Sequence, residues 1–314
     1  MRLSKSATVR KYNRFAPTEK EDAGNYLQRG TGMIIDFHTH TFPEKNAAKV
    51  VQKLGSLSHT MPFTDGSVRE LRASMEEAGV DYSVNLPVMT TADQVEKVND
   101  SLIRQKEELF AQGIITFGGM HPDYDNYKEE LRRLKQSGIL GIKLHPAYQN
   151  VDLDDMRMIH IIDYASELGL IVLTHAGIDI GIHDRNYCSV SHILKVIDQV
   201  SPPKFVLAHL GNWGCWEDVE RDLAGAPVWL DTAFAVGSIT PNPNQDEKPY
   251  LEENLSNQDF VRICRKHGVN RILFATDSPW QDQKDYIGRV RNTGLNKEEL
   301  ELVFSENARK LLSL

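Results

Sequence analysis

From Met33 onward, the apolar residues fall into short runs rich in Val, Ile and Phe. Each run is followed by polar residues and then by a longer stretch with the three-to-four-residue spacing of an amphipathic helix. The strand-like runs are 33–38, 81–86, 114–119, 141–144, 170–175, 205–209, 228–231 and 271–276, and helices such as 156–168 and 191–200 are expected between them. Strands that alternate with helices pair in parallel. Near-continuous apolar runs are what a parallel sheet buried on both faces requires, and eight units are enough for the sheet to close. The fold class expected is therefore α/β, a (β/α)₈ TIM barrel. A doubly wound open sheet is the rival, but no strand is followed by G-x-G-x-x-G and no G-x-x-x-x-G-K-[ST] loop is present.

Two stretches break the pattern. Residues 1–32 mix Lys and Arg with Asn, Thr and Glu and carry little apolar periodicity, so they are expected to form an arm outside the barrel, with the catalytic domain spanning 33–314. Their basic start is reminiscent of an organelle transit peptide, but Glu19, Glu21 and Asp22 follow closely and such peptides are poor in acids. The stretch 241–257, rich in Pro, Asn, Asp and Glu, is too polar for a barrel element and is expected to form a loop over the end of the seventh strand.

Composition narrows the class. The chain has 314 residues and a formal net charge of -8, which speaks against a polyphosphate partner and for a small-molecule substrate. Cys188, Cys215 and Cys264 are odd in number and widely spaced, which excludes a disulfide framework and a cysteine-rich zinc site and suits a reducing cytoplasm. No apolar run reaches the roughly 18 residues of a membrane span, so no membrane partner is expected. A homo-oligomer is left open.

The chemistry concentrates at strand ends. The first strand closes on Asp36-Phe37-His38-Thr39-His40, and in an extended strand residues i and i+2 share a face roughly 6.5 Å apart along the chain. His38 and His40 can then converge on one ion. An isolated H-x-H is weak evidence, but His175, His209 and Asp277 close the fifth, sixth and eighth strands, the end at which a barrel builds its active site. Imidazoles with a carboxylate suit Zn²⁺, with Mn²⁺, Fe²⁺ or Co²⁺ as alternatives, and such an ion brings the pKa of bound water to roughly 7.

The motifs Asp36-Phe37-His38-Thr39-His40, Gly141-Ile142-Lys143-Leu144-His145-Pro146, Thr174-His175, Ala208-His209-Leu210-Gly211 and Thr276-Asp277-Ser278-Pro279-Trp280 resemble, in order, those of the amidohydrolase superfamily. The likeness is to its amidohydrolase-related branch of metal-dependent TIM-barrel hydrolases, which also holds the aminocarboxymuconate-semialdehyde and resorcylate decarboxylases. The resemblance implies one divalent metal on His38, His40, His175 and Asp277, with Asp277 also the catalytic base and His209 a substrate-polarising or proton-transferring group. Lys143 is then either the carboxylated bridge of a second metal or an ammonium that binds a substrate carboxylate. His145, Tyr148, Trp213 and Trp280 are candidates for the pocket wall, and His121 a weaker one, while His160 and His267 fall in helical stretches and are expected to be structural.

Fold and metal do not choose the reaction. In resorcylate-type decarboxylases a glutamate stands three residues beyond the sixth-strand histidine, where this chain has Asn212, and no arginine matches those that hold the carboxylate in the aminocarboxymuconate enzyme, with Arg69, Arg72 and Arg185 as candidates. The expectation is therefore hydrolysis of a small ester, lactone or amide, with non-oxidative decarboxylation of an aromatic or muconate-like acid as the alternative. A barrel that only binds its ligand would have no use for a hydroxide-generating ion. A TatD-type nuclease is disfavoured by the acidic balance and by lysine on the fourth strand.

Overall fold

The computed structural model describes residues 32–314; the expected N-terminal arm lies outside the described residues. The eight expected strands are all present. They are β1 (Ile35–Thr39), β2 (Tyr82–Asn85), β3 in two segments (Ile114–Thr116 and Gly118–Gly119), β4 (Gly141–Leu144), β5 (Ile171–Thr174), β6 (Phe205–Leu207), β7 (Trp229–Asp231) and β8 (Ile272–Leu273). Every pairing is parallel, in chain order from β1 to β8. The ring closes where β8 meets β1. There Phe37 N donates to Phe274 O (2.8 Å), Asp277 N to His38 O (2.9 Å) and His40 N to Ser278 O (2.7 Å). This is the (β/α)₈ barrel expected from the sequence.

Inside the ring, alternate strand residues interdigitate: Ile35, Phe37, Val84, Leu86, Ile115, Phe117, Leu173, Val206 and Leu273 form one buried cluster, which Ala308, Leu311 and Leu312 of the C-terminal helix join. The opposite strand faces, such as Ile142, Leu144, Val172 and Leu207, pack with the surrounding helices in a second cluster. Burial on both faces explains why these strands read as continuous apolar runs. The helices start where the sequence supplies an acceptor: the side chains of Ser67, Asp155, Ser256 and Asp282 each take a backbone N–H of the first turn. Helices 156–168 and 191–200 of the sequence reading correspond to Met156–Glu167 and Val190–Val200.

The stretch 241–256 is irregular and follows β7, as expected, and Asn257, the last residue of the expected loop, already opens the next helix. The loop is tied down by Asn242 N to His59 O, by Trp213 Nε1 to Asn254 Oδ1 and by Tyr250 stacked on His183. No helix among the described residues is long and apolar enough to cross a membrane.

His267 ends the helix Asn257–His267 and is structural. Its Nε2 faces Val228 O at 3.0 Å, and its Nδ1 accepts from Gly225 N. Burial pushes its pKa down to about 4, against a smaller upward pull from the Val228 carbonyl. The unfolded chain takes up this proton near pH 6.5 and the folded one does not, so stability is intact above pH 6.5 and is lost as pH falls toward 4, by up to ~3 kcal/mol. Urea melts at pH 7.5 and 4.5 should show a smaller acid loss for His267→Gln than for the native chain. Equal losses would contradict this origin.

Candidate metal centre and active-site cavity

His38 lies in β1 and His40 just beyond it, but they do not converge through simple alternation. The register of β1 on β2 shifts between Asp36 and Thr39. Phe37 stays in the inner apolar cluster while its neighbour His38 faces the mouth. Asp36, fully buried, accepts from Thr276 Oγ1 (2.6 Å), Thr276 N (3.0 Å) and Gln283 Nε2 (2.8 Å), fixing β1 against the chain that follows β8. Burial pushes the Asp36 carboxyl up to about 6, and these hydrogen bonds oppose the shift.

The tautomers of the first two histidines follow from their partners. His38 Nδ1 donates to Asp231 Oδ2 at 2.8 Å and His40 Nδ1 to Leu86 O at 2.7 Å, so both Nε2 atoms carry lone pairs. Those two atoms are 3.2 Å apart, and Asp277 Oδ1 lies 3.3 Å from one and 3.1 Å from the other. Three electron-rich atoms facing one another repel unless a cation sits among them. Donors about 2.0–2.1 Å from a tetrahedral ion are about 3.3 Å apart, so the set fits a divalent metal. Burial, followed by the neighbouring Lys143, pushes the His38 pKa well below its ordinary value, which keeps the ring neutral as a ligand must be.

The structure does not bring all four expected ligands together. His38, His40 and Asp277 form one group, whereas His175 groups with His145 and Asp179. The reason is local: the His175 ring stacks on His145 (centroids 4.3 Å apart, planes 17° apart), and its Nδ1 is 3.0 Å from His209 Nε2. Its Nε2 is buried without a hydrogen-bond partner.

His209 and Asp277 both adopt left-handed backbone angles, φ 58° and 69°, a conformation that costs a non-glycine residue roughly 1–3 kcal/mol. The turn after β6 is held by His209 N donating to Asp231 Oδ1 at 2.8 Å. His209 Nδ1 donates to Ala233 O at 2.9 Å, which makes its Nε2 an acceptor. Burial pushes its pKa down to about 4, partly offset by Asp277. The neutral ring can take a proton, but it cannot polarise a carbonyl through Nε2.

Asp231, which closes β7, was missed in reading the sequence; it binds both His38 and His209, and its strand-end position was the available signal. Lys143 Nζ is 3.2 Å from His38 Nε2, and no carboxylate is within 4 Å of it among the described residues. Burial pushes the Lys143 ammonium down and the Asp231 carboxyl up, each countering the other in part.

Over this cluster lies a cavity of 340 Å³. Lys143, His175 and His209 line it together with the expected wall residues His145, Tyr148, Trp213 and Trp280, and Phe42, Ile178 and Phe234 add apolar surface. The wall at Trp213 depends on Gly177 (φ +98°), where a Cβ would lie 2.0 Å from Trp213 N. Arg69, Arg72 and Arg185 do not reach the cavity; each is exposed or half-exposed and paired with Asp or Glu. His121 accepts from Asp123 N and stays outside the cavity, and Asn212 binds Cys215 O and Asn186 rather than His209.

The amidohydrolase family model matches residues 35–314. The chain belongs to the amidohydrolase family. No curated protein matches it in sequence. This amidohydrolase is similar in structure to an uncharacterized TIM-barrel protein from Bordetella bronchiseptica (TM-score 0.70, 17% identity, covering 90% of this chain and 98% of that one). It is also similar to a 5-carboxyvanillate decarboxylase from Sphingomonas paucimobilis (0.62, 14%, 90% and 100%). A third similar structure is a dihydroxybenzoic acid decarboxylase from Polaromonas sp. JS666 with bound manganese and the inhibitor 2-nitroresorcinol (0.63, 16%, 90% and 98%). The amidohydrolase is thus an enzyme with a site for a divalent metal.

Proposed function

We propose that residues 33–314 form a metal-dependent carboxy-lyase that removes CO₂ from a small aromatic or similarly unsaturated acid. The observation that carries this reading is the cavity. Its 340 Å³ is at the small end of ligand pockets, and much of its wall is apolar, from Phe42, Val50, Leu54, Ile178, Phe234 and Trp280, beside the polar cluster at its floor. Such a site takes a flat ring whose acidic end meets the metal. His38, His40 and Asp277 would hold the ion, with His175 the next imidazole in line for the fourth position; Mn²⁺ and Zn²⁺ both suit the donors. The ion when bound supplies positive charge for the substrate's oxygens. In the reaction the bond from the ring carbon to the carboxylate breaks, its electrons stay on the ring carbon, and Asp277 passes to that carbon a proton drawn from solvent water, in the place of CO₂. A cavity with a largely apolar lining favours a step in which a carboxylate charge disappears.

This replaces hydrolysis as the first reading. A hydrolase would use His209 to steady a substrate carbonyl, and the neutral His209, with Nε2 as acceptor, is not built for that. The relatives that are decarboxylases support the lyase reading as members of the same fold. Hydrolysis remains the second reading on one observation, Asn212 at the position where the decarboxylase pattern carries glutamate.

The test is a panel of hydroxybenzoates and muconate-like acids together with lactones, esters and amides, assayed with Mn²⁺ and with Zn²⁺ for CO₂ and for acid production. Release of CO₂ from at least one acid is expected. Hydrolysis of a lactone or ester with no CO₂ from any acid would overturn the proposal.

A further inference from the structure

The cavity has a second polar pole, made by residues that the metal centre does not use. Asp179, in the loop after β5, is 6% exposed and lines the cavity. Its Oδ1 accepts from Gly181 N and Ile182 N, both at 2.9 Å, so the turn holds the carboxylate rigidly and leaves Oδ2 free. Opposite stands His145, whose Nδ1 accepts from Tyr148 N; its Nε2 therefore carries the proton. Nε2 and Asp179 Oδ2 are 3.6 Å apart, beyond hydrogen-bond range. A donor and an acceptor, both fixed and both buried, thus face the cavity without satisfying each other.

A metal is a poor occupant for this place, although His145, His175 and Asp179 lie close enough to suggest one. The His145 and His175 rings are stacked nearly parallel, and a nitrogen lone pair lies in the plane of its ring. One ion cannot lie in both planes. A hydroxyl fits instead, because it accepts one hydrogen bond and donates another. We infer that Asp179 and His145 form a specificity site for a hydroxyl group on the substrate ring, which accepts from His145 Nε2–H and donates to Asp179 Oδ2. The inference rests on the carboxy-lyase reading and narrows its substrates to hydroxylated acids. A methoxy group, which cannot donate, and a bare ring, which leaves both partners unpaired, are rejected at this place.

The test uses the metal-loaded full chain and measures binding by calorimetry of benzoate, the three monohydroxybenzoates and their methoxy counterparts, alongside CO₂ release. In the native enzyme at least one hydroxy isomer should bind about 10-fold or more tighter than benzoate and than its methoxy analogue. Asp179→Asn keeps an oxygen for the Gly181 and Ile182 amides but presents an NH₂ where Oδ2 stood. It should retain the metal, lose most of the hydroxy preference and gain affinity for the methoxy compound. An unchanged hydroxy-to-methoxy ratio in Asp179→Asn overturns the hydroxyl site even if CO₂ is released. The expected change in ratio without any CO₂ upholds the site and overturns the lyase reading. If none of these acids binds, both fall.

Discussion

Alanine at Asp277 or at His38 should leave a folded barrel that has lost its metal and nearly all turnover. Three donors within 3.1–3.3 Å of one another form the proposed centre, and removing one leaves two of them with the more distant His175, too few to hold a divalent ion against water. Elemental analysis should give about one equivalent in the native protein and under about a tenth in either variant. A bound divalent ion contributes several kcal/mol of charge stabilisation, so turnover should fall by about 10³–10⁴-fold. Native metal content in both variants would remove the proposed centre. Two equivalents in the native protein would instead bring Lys143 in as a bridging ligand.

His209→Asn should separate chemistry from metal binding. The asparagine amide can still donate to Ala233 O, which keeps the turn after β6, but the Nε2 acceptor is gone. Metal content should be unchanged, KM nearly so, and kcat lower by about 10²-fold or more, because Nε2 is the acceptor that lines the cavity together with Asp277 and can relay the proton that Asp277 delivers. Because burial holds the His209 pKa near 4, the native enzyme should show no acid limb from this residue between pH 5 and 8. A variant with native kcat would show that the ring only fills space.

The sequence made the barrel legible because burial on both faces imposes one unmistakable pattern, and all eight strand runs recur in the structure within a few residues. The largest difference is β8, expected over 271–276 and confined to Ile272–Leu273. A 3₁₀ turn occupies Val269–Arg271, and Phe274 N turns away to Val303 O. The position of polar residues at strand ends also pointed to His38, His40, His175, His209 and Asp277, which line one cavity. What it could not reveal is the direction a ring takes once there. His175 is at the expected strand end, yet stacking on His145 draws it away from His38 and His40. Asp231 meets the same positional criterion, as the last residue of the run 228–231. Asp179 has no such signal: it lies in a loop, and only the folded chain places it beside His145, 34 positions away in sequence. Arg69, Arg72 and Arg185 show the converse, charges that suit a carboxylate by type alone and are spent on surface pairs.

The closing edge of the ring gives the metal a second consequence. β1 and β8 are the first and last strands, and between them the backbone ladder amounts to a few bonds around Phe37, His38 and His40, reinforced by the buried Asp36. The proposed ligands sit on both sides of this junction: His38 and His40 on one, Asp277 on the other. An ion held there would act as a clasp between parts of the chain more than two hundred residues apart, its binding energy adding to the cost of opening the barrel. Metal supply would then set how readily the barrel opens as well as how fast the proposed reaction runs.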